Sequence, residues 1–252
     1  MAKNNKHTER MAKSDRNVNR AMILLMVGLI AEFYLLMVNT YFVKGAEGQV
    51  LTMMTVLKVL GIAGAALFGA GLVLWFMRKK WTRFAPAAPW LLSIGFFFAV
   101  SSQLMLKIYP QGTTVMCVLV PVAMLLGIVF LLYPREFSLQ ALALTAAMMA
   151  MYLIHRGGGS DTWRGLVIGC SVFAALVIAA LAVAVSKAGK NGGKLEKLGD
   201  LRIVSVDGNY KLIYAVLAVC VAAIVIALFA TGIAYYGLWV LAVGTFLLAV
   251  YY

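Results

Sequence analysis

Charge is what this sequence has least of: Asp, Glu, Lys and Arg together make up 12% of its 252 residues. Soluble domains carry about twice that share, so a fold with water on every side is excluded. Cysteine is scarce too. Cys117, Cys170 and Cys220 all fall in apolar runs, with no CxxC spacing and no histidine close by. That argues against a disulfide framework or a metal site and leaves them as small apolar filler. The two histidines, His7 and His155, belong to no HExxH motif, and neither a GxSG nucleophile nor a pair of aspartates is present. No enzymatic activity, catalytic residue, metal or cofactor is therefore expected. Acidic residues number nine against 22 basic ones, a formal net charge of +13. In a soluble protein this excess would suggest nucleic acid. Here the bases cluster in short segments between apolar runs, which marks a cytoplasmic side and removes nucleic acid as an expected partner.

What is plentiful is apolar sequence. Hydrophobic residues make up 63% of the chain and the mean hydropathy is +0.94. They come in runs of about 20, the length that crosses a hydrocarbon core of roughly 30 Å at 1.5 Å per helical residue. The expected fold class is all-α: a polytopic transmembrane helix bundle of about eight spans, with N-terminus and C-terminus both cytoplasmic. Residues 1–20, basic and without apolar period, are expected to form a disordered cytoplasmic tail. A six-span membrane portion follows over 21–186, with spans at about 21–43, 51–77, 87–108, 113–133, 137–154 and 165–186. The first run is too long for a signal-peptide core and lacks a small-x-small cleavage site, so it is expected to remain as the first span. Residues 187–211 form a cytoplasmic loop. The final stretch, 212–252, is nearly twice what one crossing needs, and it is divided at Ala230-Thr231-Gly232 into a two-span hairpin.

The positions of the cations test this threading. Of the 22 Lys and Arg, six lie in the tail, four at Arg78, Lys79, Lys80 and Arg83, one at Arg135, and six in the 187–211 loop. Those segments all fall on one side, and the excess of bases makes it the inside. The outer side receives Lys44, Lys58, Lys107, Arg156 and Arg164. Pro86 and Pro89 suit the opening of the third span. Pro121 is the one proline inside a run, and it frees the carbonyl of Cys117 and predicts a kink. GGGSD at 157–161 lacks the strand, lysine and helix of a phosphate loop and is expected to be a flexible connection. In the long loop, 201–206 has strand-like composition and Asp207-Gly208 is a hairpin signal.

One acidic residue falls well inside a span. Glu32 lies about eleven residues, roughly 16 Å of helix, from the outer end of the first run. Gly28, Glu32 and Asn39 share a helical face at spacings of four and seven. In the second span the run GIAGAALFGAG places Gly61, Ala65 and Gly69 in a small-residue stripe, a helix-packing surface expected to meet the Gly28 face. Lys58, above that stripe, is the natural counter-ion for Glu32. Ser101, Ser102 and Gln103 lie at similar depth in the third span, so Glu32, Asn39, Lys58, Ser102 and Gln103 are the candidate binding residues. The plainer alternative has Glu32 protonated and hydrogen-bonded, with Lys58 reaching to the interface.

Two functions fit these features. One is transport, as a carrier or the membrane subunit of a transporter, with a polar site near Glu32. The other is a non-catalytic scaffold or assembly partner that works through helix packing and the 187–211 loop. The expected partners are the lipid bilayer, anionic lipids at the basic inner segments, and a further protein in the membrane. The expected location is a cell membrane of the prokaryotic plasma-membrane type.

Overall fold

The computed structural model describes residues 2–77, 87–157, 161–190, 194–195, 201–202 and 209–252. Eight helices account for nearly all of them: α1 (Ala2–Val38), α2 (Glu47–Phe76), α3 (Ala88–Lys107), α4 (Gln111–Leu132), α5 (Arg135–Gly157), α6 (Asp161–Lys190), α7 (Tyr210–Phe229) and α8 (Ile233–Tyr251). Each contains a stretch long and apolar enough to cross a membrane, as an eight-span all-α membrane protein requires. The chain is therefore a multi-pass membrane protein.

Two boundaries depart from expectation. Helix α1 begins at Ala2, so the tail that composition marks as disordered continues the first span instead. Between Ala2 and Gly28 there is neither Pro nor Gly, and Lys, Arg, Ala, Glu and Met are good helix formers. Extending an existing helix also avoids the cost of nucleating a new one. In the long loop, β1 (Lys194–Leu195) and β2 (Leu201–Arg202) form an antiparallel ladder that pairs Lys194 with Arg202 and Leu195 with Leu201. The strand character at 201 thus pairs with upstream sequence. The downstream arm is committed to α7, whose start is capped by Asn209 Oδ1 accepting from the Leu212 N–H at 3.3 Å. The cationic 78–83 segment, Pro86, the glycines at 158–159 and Asp207-Gly208 lie outside the described residues.

Two compact units share the chain: residues 26–121, and residues 1–25 with 122–252. In the second, α5 is the central rod, with 67% of its apolar stretch buried. Its sequence explains this. Ala143, Ala147 and Ala150 let neighbours approach closely, and with Leu144, Met151 and Ile154 they pack on Ala174 and Ile178 of α6, Cys220 and Ile224 of α7, and Ala234 and Leu241 of α8. The inward residues of α7, Ile213, Leu217, Cys220, Ile224 and Ala227, alternate steps of four and three. That is the 3.5-residue period of a left-handed helix seam. Because protein and not lipid surrounds α5, it can bury Gln140, whose Nε2 donates to the Tyr252 hydroxyl at 3.2 Å.

Candidate functional site

Every candidate site residue lies in the unit of residues 26–121. On α1 the inward stripe is Gly28, Leu35, Val38 and Phe42, all buried, again at a near-3.5 period. Glu32 and Asn39 flank this stripe and are half-buried. Glu32 Oε2 is itself buried and has no hydrogen-bond partner among the described residues. Asn39 opens a single π turn, Asn39–Val43, a feature over-represented at functional sites. Two aromatic contacts tie α1 alongside α3. Tyr34 meets Phe98 edge-on at 5.6 Å between ring centroids, and Phe42 meets Tyr109 at 4.9 Å.

Helices α2 and α3 form a tight antiparallel pair built on glycine. A Cβ placed at Gly61 would lie 3.2 Å from Ser102 Cβ, one at Gly64 2.6 Å from the Ala99 nitrogen, and one at Gly71 2.9 Å from the Leu92 nitrogen. From the other side, a Cβ at Gly95 would run into the Phe68 backbone nitrogen. Stepping three, four and three residues along α2 steps the same distances back along α3, as antiparallel helices in fixed register must. The seam is therefore Leu57, Gly61, Gly64, Phe68 and Gly71, with a 3.5-residue period. The expected four-residue stripe shares only Gly61 with it. Ala65 is exposed, and nothing lies within 4 Å of a Cβ at Gly69. Gly61 meets α3, where sequence reasoning had it meeting the Gly28 face of α1.

The seam decides where the polar residues go. Leu57 faces inward and is fully buried, so Lys58, the next residue, turns away and is exposed. It does not reach Glu32 Oε2, which remains without a partner. Ser102 is fully buried beneath Gly61, while Gln103 is exposed. The expected set thus divides: Ser102 and Gln103 lie together with Gly61, and Lys58 stands apart from Glu32.

On the α4 side, Cys117 packs into the same cluster as Met116 and as Leu35 and Val38, the inward residues that follow Glu32 on α1. Four residues on, Pro121 sits inside α4 and has no N–H to offer the Cys117 carbonyl. The Pro121 spacing is the sequence signal for that free carbonyl. Sequence reasoning also missed Tyr34, Gln111 and Thr113. Tyr34 OH, Gln111 Oε1, Thr113 Oγ1 and Ser102 Oγ are, like Glu32 Oε2, buried without a hydrogen-bond partner among the described residues. Four other hydroxyls of this unit are satisfied on their own helix: Thr40, Thr52, Thr55 and Ser93 each donate to the carbonyl four residues back, at 2.8–3.1 Å. With no water in the hydrocarbon core, unpaired polar atoms are expensive, and five of the seven found among the described residues fall in this unit. A buried carboxyl without a partner is chemically able to hold a proton or, with a further oxygen, a small cation. Set against models of known protein families, curated proteins and solved structures, the chain matches none of them.

Proposed function

We propose that this chain is a transport-type protein of a cell membrane, a carrier or the membrane subunit of a transporter, in which Glu32 takes up and releases a proton or small cation. The observation that carries this reading is the Glu32 Oε2 atom, buried well inside a span and unpartnered. An ionised carboxylate at such depth costs from about 2.5 kcal/mol upward, so the group is stable only with a proton or a cation on it. The Cys117 carbonyl freed by Pro121 supplies the second oxygen: it accepts from protonated Glu32 or shares a bound cation with its carboxylate. The protein performs no catalysis in this reading. Its basic inner segments rest on anionic headgroups, each Lys or Arg there contributing about 1 kcal/mol of attraction.

The test is ion flux in proteoliposomes loaded with a pH-sensitive dye. Glu32→Gln keeps the shape and hydrogen-bonding capacity of the side chain and removes its charge, so flux is expected to be abolished. Lys58→Met is expected to leave flux intact, because Lys58 is exposed and stands apart from Glu32. Undiminished flux in Glu32→Gln would sink the mechanism.

A second reading, the scaffold or assembly partner, is favoured by the exposed Ala65 and the open space at Gly69. The small residues that α3 does not use leave α2 a face on which another helix packs closely. Crosslinking in native membranes is expected to trap one protein partner on that face and Gly69→Leu to release it. A chain that transports when purified alone, with no partner trapped, counts against this second reading.

A further inference from the structure

Within the unit of residues 1–25 and 122–252, α6 and α7 leave a cleft of about 200 Å³ between them. Ser171, Val172 and Ala175 line it on α6, and Val221, Val225 and Leu228 on α7. Apart from Ser171 these walls are aliphatic, and Val172, Val221, Val225 and Leu228 are exposed on the lipid-facing side. The cleft is therefore entered from the bilayer.

Ser171 is the anomaly. It is 4% exposed, and its Oγ has no hydrogen-bond partner among the described residues. A serine on a helix ordinarily satisfies itself by donating to the carbonyl four residues back. Ser138 and Thr245 do so in this same unit, at 3.2 and 2.8 Å. Ser171 does not, and it lines the cleft instead. Lipid supplies no water to such a hydroxyl, so the natural occupant carries a hydrogen-bond acceptor on an otherwise apolar body.

Depth narrows the choice. Helix α7 ends at Phe229, so Val225 and Leu228 lie within about 6 Å of its end. The hairpin partner α8 carries Tyr235, Tyr236 and Trp239 near its start, aromatic residues of the kind that settle at the membrane–water interface. Ser171 shares the cleft with these residues, so its hydroxyl lies in the same half of the bilayer, on the side from which the ester groups of a glycerolipid reach inward. The volume is smaller than the roughly 300–1,000 Å³ that takes a whole drug-sized ligand and too narrow for a helix about 10 Å across. It fits a segment of one acyl chain. We infer that this cleft is a lipid site: one acyl chain of a diester glycerolipid lies between α6 and α7, and its ester carbonyl accepts a hydrogen bond from Ser171. The basic 187–211 loop is at the other end of these helices, so the recognition is of the ester and chain and not of an anionic headgroup.

The experiment uses the full chain in vesicles of a diester phosphatidylcholine that bears a photoreactive diazirine on one acyl chain, compared with the diether analogue, which lacks the carbonyl. The diester probe is expected to crosslink to peptides containing 171–175 and 221–228. The diether probe is expected to label them about fivefold less, the worth of one neutral hydrogen bond. Ser171→Ala is expected to lower diester labelling by the same factor and to have no added effect with the diether, as two changes that remove one interaction must. Ala175→Phe fills the cleft and is expected to remove the label. Equal labelling by diester and diether would overturn the proposal, as would labelling spread evenly over all lipid-facing helices or crosslinks joining two protein chains at this face. The lipid comparison needs no substitution, so it stands even if a variant misfolds.

Discussion

Gly95→Ala is expected to be the most damaging methyl group that can be added along the α2–α3 seam. A Cβ at that position would run into the Phe68 backbone nitrogen and would lie 2.8 Å from both the Gly64 carbonyl oxygen and the Phe68 Cα. All three are backbone atoms, which cannot rotate aside as a side-chain tip can, so the two helices must separate. Overpacking a core typically costs about 1–3 kcal/mol and occasionally more; a backbone clash between two paired helices belongs at the top of that range, about 3 kcal/mol. The separation would also strip the cover from Ser102 and Gly61 two seam positions further along. Gly69→Ala is the control. Nothing lies within 4 Å of that Cβ, and alanine is the better helix former by about 1 kcal/mol, so stability should hold or rise. Gly61→Ala falls between them, because its Cβ meets a side-chain carbon at 3.2 Å. Thermal unfolding in detergent, followed by the loss of monodisperse protein, should rank the three as Gly95→Ala worst, Gly61→Ala intermediate and Gly69→Ala harmless. Equal stability for Gly95→Ala and Gly69→Ala would mean that the α2–α3 seam is drawn in the wrong place.

The ranking also marks where the sequence stops being legible. Span number and position follow from apolar length, a property of each segment by itself; even the uncharged 212–252 stretch divides at Ala230-Thr231-Gly232 on length alone, and α7 and α8 meet there. The rotation of a span about its own axis depends on its neighbours. GIAGAALFGAG has a Gly or Ala at most positions, so it accommodates a four-residue stripe through Gly61, Ala65 and Gly69 and a 3.5-residue seam through Gly61, Gly64 and Gly71 equally well. The matching small residues of α3, Gly95 and Ala99, select the second. That choice turns Lys58 outward, one helical position, about 100°, beyond Leu57. The proposed Glu32–Lys58 pair thus failed on rotation and not on depth. Glu32 stands out in the sequence because a mid-span carboxyl is conspicuous in any rotation, and the Cys117 carbonyl because a proline frees it by covalent structure. The orphan hydroxyl of Thr113 is not marked in the sequence, since serine and threonine usually satisfy themselves on their own helix and only packing reveals which do not.

A hydrophobic carbodiimide such as dicyclohexylcarbodiimide is expected to modify Glu32 almost alone among the nine acidic residues. The reagent partitions into the bilayer and adds only to a protonated carboxyl, so a target must be both in lipid and neutral. Glu47 is exposed in the first turn of α2 and Glu136 sits in the first turn of α5, both at the ends of their spans and not in the hydrocarbon interior. Glu32 instead lies mid-span, where the ionised form is costly. Labelling should reach one adduct per chain, map to the peptide holding Glu32, vanish in Glu32→Gln, and abolish the flux in step with adduct formation. It should also fall as pH is raised, because only the protonated form reacts. Sodium or lithium added at constant pH then separates the two kinds of cargo: a cation that occupies the Glu32–Cys117 site displaces the proton and protects the carboxyl, whereas a site that handles protons alone is labelled at the same rate with or without it. Adducts on Glu47 or Glu136 in preference to Glu32 would place Glu32 in contact with water or with a fixed counter-charge, and the proposed proton or cation site would be lost with it.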